Sequence, residues 1–180
     1  MLLAAQWLQQ GRRVDMRSLG ESLGVARMTL FRQTGGRDAL LGDALWLLTE
    51  RGLNAALQRW EAERPPGALI SVGTGRHMNE SVARAEGLRR LLDEEPALAM
   101  RVLTDPVGRV QPGVVAFIEA LLRRDMVELG YVPLVEPGEL AFALVRLGES
   151  FLYADVLGAR QQDVATANRL QRALVEGNRA

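Results

Sequence analysis

The sequence predicts an all-α fold, with a small helix-turn-helix domain at the N-terminus and a larger helical domain behind it. Three observations carry this. Strict apolar–polar alternation of the kind a half-buried strand needs is scarce. Glycine and proline interrupt the chain at helix-sized intervals. Positive charge is gathered at one end. The 180 residues have no net charge, yet residues 1–37 hold six arginines (Arg12, Arg13, Arg17, Arg27, Arg32 and Arg37) against Asp15 and Glu21, a balance of +4 that the remainder must offset. A basic block on an acidic body is the footprint of a nucleic-acid-binding head, or else a run of solvated charges.

The elements follow in order. The first helix runs from Leu2 to Gln10 and stops at Gly11. Asp15 can offer its carboxylate to the free N–H groups of a second helix, Met16 to Leu23. Gly24-Val25 makes a tight turn, a third helix covers Arg27 to Gln33, and Gly35-Gly36 ends it. A long amphipathic helix then begins at Arg37-Asp38 and continues toward Trp60. Beyond Pro65-Pro66, helices are expected over Ala68–Ala83, Glu86–Glu94, Ala97–Leu103, Gly113–Leu129, Glu136–Leu157 and Gln162–Val175. The domain boundary falls near residue 46, giving domains 1–46 and 47–180.

Two short helices joined by a glycine turn form a helix-turn-helix. Leu19, Leu23, Val25 and Leu30 lie where its helices must grip each other, and Gly20 lets their backbones approach. With Leu30 inward and 100° per residue, Met28 and Arg32 point away from the core, flanked by Thr29 and Phe31. Arg27 and Gln33 sit at the edges of this face. Arginine can pair with guanine O6 and N7, and a thioether or methyl can touch the thymine methyl, so the face suits major-groove reading. Arg17 and Arg37, each at a helix start, suit phosphate clamping. The alternative is a helical hairpin that touches no DNA.

The stretch Leu19-Gly20-Glu21-Ser22-Leu23-Gly24-Val25-Ala26-Arg27-Met28-Thr29-Leu30-Phe31-Arg32, with Gly36-Arg37-Asp38-Ala39-Leu40-Leu41, resembles the DNA-binding signature of TetR-type regulators. Two later runs, Glu95 to Thr104 and Arg146 to Asp155, resemble the C-terminal domain of the QsdR-like branch, named after regulators linked to lactone-degrading enzymes. The resemblance implies a homodimeric, ligand-responsive repressor on a palindromic operator of double-stranded DNA. It also implies a small apolar or lactone-like ligand held in the body. Phe31 stands where these heads usually carry tyrosine, Ala26 where a serine or threonine cap is common, Thr34 where a large apolar residue is usual, and Arg37 where lysine is. The alternative function is a helical small-molecule-binding protein with weak or lost DNA affinity.

Glu136–Leu157 is apolar nearly all round, through Leu140, Phe142, Leu144, Val145, Leu147, Phe151, Leu152, Tyr153 and Val156. Such a helix is buried on more than one side. In a monomer it is the central core helix; the resemblance instead makes it part of a four-helix dimer interface with Gln162–Val175. Arg146 and Glu149 can pair locally within it. The resemblance implies a cavity in the body, for which Trp60, His77, Met78, Met100, Phe117, Phe142 and Tyr153 are the candidate lining residues, though each also suits a plain core position or, for His77, an ordinary surface one. Trp46 is a further large body side chain.

Enzyme readings find little support. One histidine and no cysteine exclude the common nucleophile–base pairs and nitrogen–sulfur metal sites, and no cofactor is implied. Asp93-Glu94-Glu95 reads as a solvated charge run at a helix end. Gly73-Thr74-Gly75 lacks the preceding strand and following Gly-Lys-Ser/Thr of a phosphate cradle. No apolar run is long enough to span a bilayer, and the start lacks the features of a signal peptide. A cytoplasmic protein is the expectation.

Overall fold

A computed structural model describes residues 1–158 and 160–177, and among these residues every regular element is a helix. In chain order they are α1 (Leu2–Gln9), α2 (Met16–Leu23), α3 (Arg27–Thr34), α4 (Arg37–Glu63), α5 (Ile70–Ala83), α6 (Glu86–Glu94), α7 (Pro96–Leu103), α8 (Val110–Leu129), α9 (Pro137–Leu152), α10 (Ala154–Gly158) and α11 (Val164–Glu176). The chain divides into two compact units, one of residues 1–50 with 85–112 and one of residues 51–84 with 113–180.

In the first unit α1 buries Ala4, Ala5, Trp7 and Leu8. It ends where Gly11 turns left-handed at φ 65°, so that the Gly11 and Arg12 amides donate to the Leu8 and Trp7 carbonyls. α6 lies against this end. A Cβ at Gly87 would stand 1.9 Å from the Leu8 carbonyl oxygen, so only glycine allows the two backbones to meet there. The start of α4 joins α7 through the Asp38–Arg101 pair at 2.6 Å and the packing of Gly42 against Val102. α7 begins at Pro96, where a missing N–H costs no helical bond.

The core of the second unit holds Leu69, Ile70, Ile118, Leu121, Leu122, Tyr131, Leu140, Ala141, Leu144 and Val175. α5 has no local cap, since Leu69 at its N-cap position offers no side-chain acceptor. The fully buried Asp125 of α8 supplies one from 55 residues away. Its carboxylate accepts from Ile70 N–H (2.6 Å), Ser71 N–H (3.0 Å) and the Ser71 hydroxyl (2.6 Å). Farther along α5, Asn79 donates to Asn168 and Gln171 of α11, each at 2.7 Å, and Gln171 donates to the Leu144 carbonyl of α9.

Of the expected boundaries, three move most. α4 continues to Glu63, because no helix-breaking residue intervenes before Pro65. α8 starts at Val110 rather than Gly113, since Pro112 falls in the first turn, where proline is tolerated. The helix expected over Glu136–Leu157 is two: α9 ends at Tyr153, and α10 follows. There the chain turns, with Gln162 capping the Leu152 carbonyl through its side-chain amide and the Asp163 amide donating to Phe151 O.

Candidate nucleic-acid interface

The head is assembled by short-range chemistry. Asp15 caps α2, its Oδ1 accepting from the Arg17 amide at 2.9 Å and the Ser18 amide at 3.0 Å. The bonds from Ser18 hold this carboxyl below its ordinary range. Gly24 ends α2 at φ 67°, and the Val25 amide returns to the Gly20 carbonyl at 2.9 Å. The turn is tight enough that a Cβ on Gly20 would come 2.8 Å from the Val25 oxygen. Leu19 and Leu30 are buried in the grip between the helices, as expected, and Val25 is half-buried. Leu23 is not part of it. As the last residue of α2, it sits where the chain reverses and is 45% exposed.

α3 docks through Leu30, its one buried residue. Met28 is 66% exposed and Phe31 51%; Arg27, Arg32 and Gln33 are exposed as well, while Thr29 is half-buried. Among the described residues no carboxylate engages Arg27 or Arg32. The Phe31 ring lies over Gly36, where a Cβ would meet Phe31 Cε2 at 3.2 Å; Gly36 has φ 105°. α3 has no side-chain cap at Ala26.

The two expected phosphate clamps differ. The Arg17 side chain is exposed and, among the described residues, pairs with Glu21 one turn on at 3.0 Å. Arg37 is turned inward instead. Its Nη1 and Nη2 grip both oxygens of Glu95 at 2.6 and 2.5 Å, and its Nε donates to the Val14 carbonyl at 2.6 Å. Arg13 approaches the same carboxylate at 3.4 Å. Arg37 holds the Glu95 carboxyl below its ordinary range, and Glu95 in turn raises the Arg37 guanidinium. A guanidinium held by a bidentate carboxylate is not a free phosphate clamp, so the expectation for Arg37 is corrected. Glu95, read from sequence as part of a solvated charge run, is its counterion.

In the second unit Trp60, His77 and Met78 lie together along α4 and α5. Trp60 donates from Nε1 to the Leu69 carbonyl at 2.9 Å, and its ring centroid is 6.0 Å from that of His77. Glycine makes this seat possible, since a Cβ on Gly73 would fall 1.9 Å from Trp60 Cε2. His77 is buried, with Nε2 2.5 Å from Glu63, whose carboxyl it holds below the ordinary range. Met78 packs on Gly52, and Phe117 packs on the core cluster. Tyr153 is buried, which pushes its phenol upward, with Glu149 adding to the shift. Phe142 faces outward at 52% exposure, and Met100 belongs to the first unit, so neither joins the Trp60 group. Arg146 and Glu149 form the expected local pair at 2.7 Å.

A family model described as tetracyclin repressor-like, C-terminal domain, matches residues 67–176. The chain belongs to the TetR family of transcriptional regulators. Among solved TetR-family structures, the transcriptional repressor QsdR of R. erythropolis is 29% identical, with 96% of this chain and 89% of that chain covered and a TM-score of 0.84. No curated protein matches the chain. TetR-family regulators bind DNA, dimerise and take small-molecule ligands. Among the described residues no helix is long and apolar enough to cross a membrane.

Proposed function

We propose that the chain is a homodimeric, ligand-responsive repressor that reads a palindromic operator with α3 and leaves it when a small apolar or lactone-like ligand occupies the body. The head is assigned to residues 1–46 and the body to 47–180, and a DNA partner sets the protein in the cytoplasm. The observation that carries the reading is the outer face of α3: Arg27, Met28, Phe31 and Arg32 exposed on a helix whose one buried residue is Leu30. Two arginines with no carboxylate partner among the described residues flank an apolar centre, which is the chemistry of guanine and thymine recognition. The likeness to QsdR supports repression. A second copy is supported by exposed Phe142 on α9 and exposed Leu170 and Leu174 on α11, two helices that pack on each other. Two-fold symmetry suits half-sites one DNA turn apart.

The test is anisotropy of labelled DNA from upstream of the protein's own gene, against scrambled DNA, across a salt series. Specific binding that weakens steeply with salt is expected. Arg27→Ala and Arg32→Ala should each reduce operator affinity by about tenfold or more, and lactones of graded chain length should release the wild-type complex. Equal affinity for both DNAs, here and on neighbouring promoters, would favour a small-molecule-binding protein whose head has lost its operator. The uncapped start of α3 at Ala26 is the observation on that side.

A further inference from the structure

Six arginines crowd residues 1–37, and the structure sorts them. Arg13 and Arg37 share Glu95, and Arg17 is tied to Glu21. Among the described residues no carboxylate holds Arg12, Arg27 or Arg32. Arg27 and Arg32 belong to the reading face of α3. Arg12 lies elsewhere, in the link between α1 and α2, and its side chain is ordered by an uncommon contact. Its guanidinium carbon stands 3.8 Å from the centroid of the Trp7 ring.

Trp7 is 3% exposed and so is a fixed platform, whereas Arg12 is exposed. A guanidinium lying on an indole is attracted by the ring quadrupole. Contact with the ring face uses none of the N–H donors on a carboxylate, so they stay available to an anion while the contact has already restricted the side chain. Arg12 is also close to where a phosphate is expected. It precedes the α2 cap, Asp15, by three residues, a span of at most about 10 Å. The first helix of a helix-turn-helix crosses the DNA backbone, and helix N-termini are a common source of phosphate contacts.

We infer that Arg12, held on Trp7, is a phosphate-contacting residue of the head and takes the backbone-anchoring place expected of Arg37. The inference rests on the DNA-binding reading and adds a residue to it. Such a contact carries no base information, so its loss should weaken operator and scrambled DNA alike.

The informative variant is Arg12→Met, which keeps an apolar cover on Trp7 and removes the charge. Binding of the full chain to operator and scrambled DNA is measured across a salt series, alongside urea unfolding of both proteins. The expected result is an affinity lower by about fivefold on both DNAs, with the slope of log affinity against log salt shallower by about one. Arg12→Lys, which keeps charge but loses the planar guanidinium, should fall between the two. An unchanged slope in Arg12→Met, whether or not affinity or stability moves, overturns the inference and leaves the repressor reading standing. Wild-type protein with no salt-dependent DNA binding overturns both.

Discussion

Asparagine in place of Asp125 tests how far one buried carboxylate sets the start of α5. Oδ1 serves the Ile70 amide, and Oδ2 serves both the amide and the hydroxyl of Ser71. In Asp125→Asn one of these oxygens becomes an NH₂ group. The Ser71 hydroxyl can rotate to accept from it, but one backbone N–H is left facing a donor. A buried donor without an acceptor costs about 1–3 kcal/mol, and loss of charge assistance on the remaining bond adds ~1 kcal/mol. The expected destabilisation is therefore about 2–4 kcal/mol. For a chain of this length each kcal/mol lowers the melting temperature by about 2–4 °C, so a fall on the order of 10 °C is expected. Ser71→Ala removes only the hydroxyl and should cost ~1 kcal/mol. Urea unfolding followed by circular dichroism, at one fixed protein concentration because self-association shifts apparent stability, gives both numbers. An Asp125→Asn protein within about 0.5 kcal/mol of wild type would refute the reasoning, because the α5 amides would then be satisfied without the carboxylate.

Further predictions concern other parts of the chain. Gly73→Ala should displace Trp60 and break its bond to Leu69, with a loss of about 2–4 kcal/mol in thermal unfolding and a changed near-ultraviolet dichroism. Glu95 should make the first unit acid-sensitive: its folded pKa is depressed, so its pairing with Arg37 contributes fully above the ordinary glutamate value near 4.5 and is lost as pH falls through the lower folded value. Unfolding free energies of wild type and Glu95→Gln should differ by about 1–3 kcal/mol at neutral pH and converge in acid. Ala26→Ser should cap α3 and stabilise the head by about 0.5–2 kcal/mol in the same unfolding assay. Phe31→Tyr should raise DNA affinity severalfold by adding a hydroxyl that can reach phosphate, read by anisotropy.

The head was legible in the sequence because its determinants are near neighbours. Asp15 caps amides two and three residues away, Gly24 and Gly35 stop helices at positive φ, and the outward face of α3 follows from the angle between successive residues once Leu30 is set inward. What escaped depends on partners remote in the chain. Arg37 and Glu95 are 58 residues apart, and no local pattern distinguishes an arginine that meets phosphate from one that meets a distant carboxylate. Asp125 was equally hidden, since a cap supplied from another helix leaves no mark near Leu69. A helix apolar nearly all round, as α9 is, does not say which side meets its own chain. Phe142, expected inside, is on the surface for that reason. The break at Tyr153 was missed because its cap comes from the side chain of Gln162.

The three tryptophans are divided between the compact units, with Trp7 and Trp46 in one and Trp60 in the other. Trp7 lies under a guanidinium, and Trp60 is bonded through its indole N–H with an imidazole close by. Indole emission responds to local polarity and to neighbouring charge, so the two units carry separate optical reporters. Replacing Trp7 and Trp46 with phenylalanine would leave emission from Trp60 alone, and replacing Trp60 would leave only the first unit visible. A single denaturation series on the two proteins would then show whether the units lose structure together or in turn.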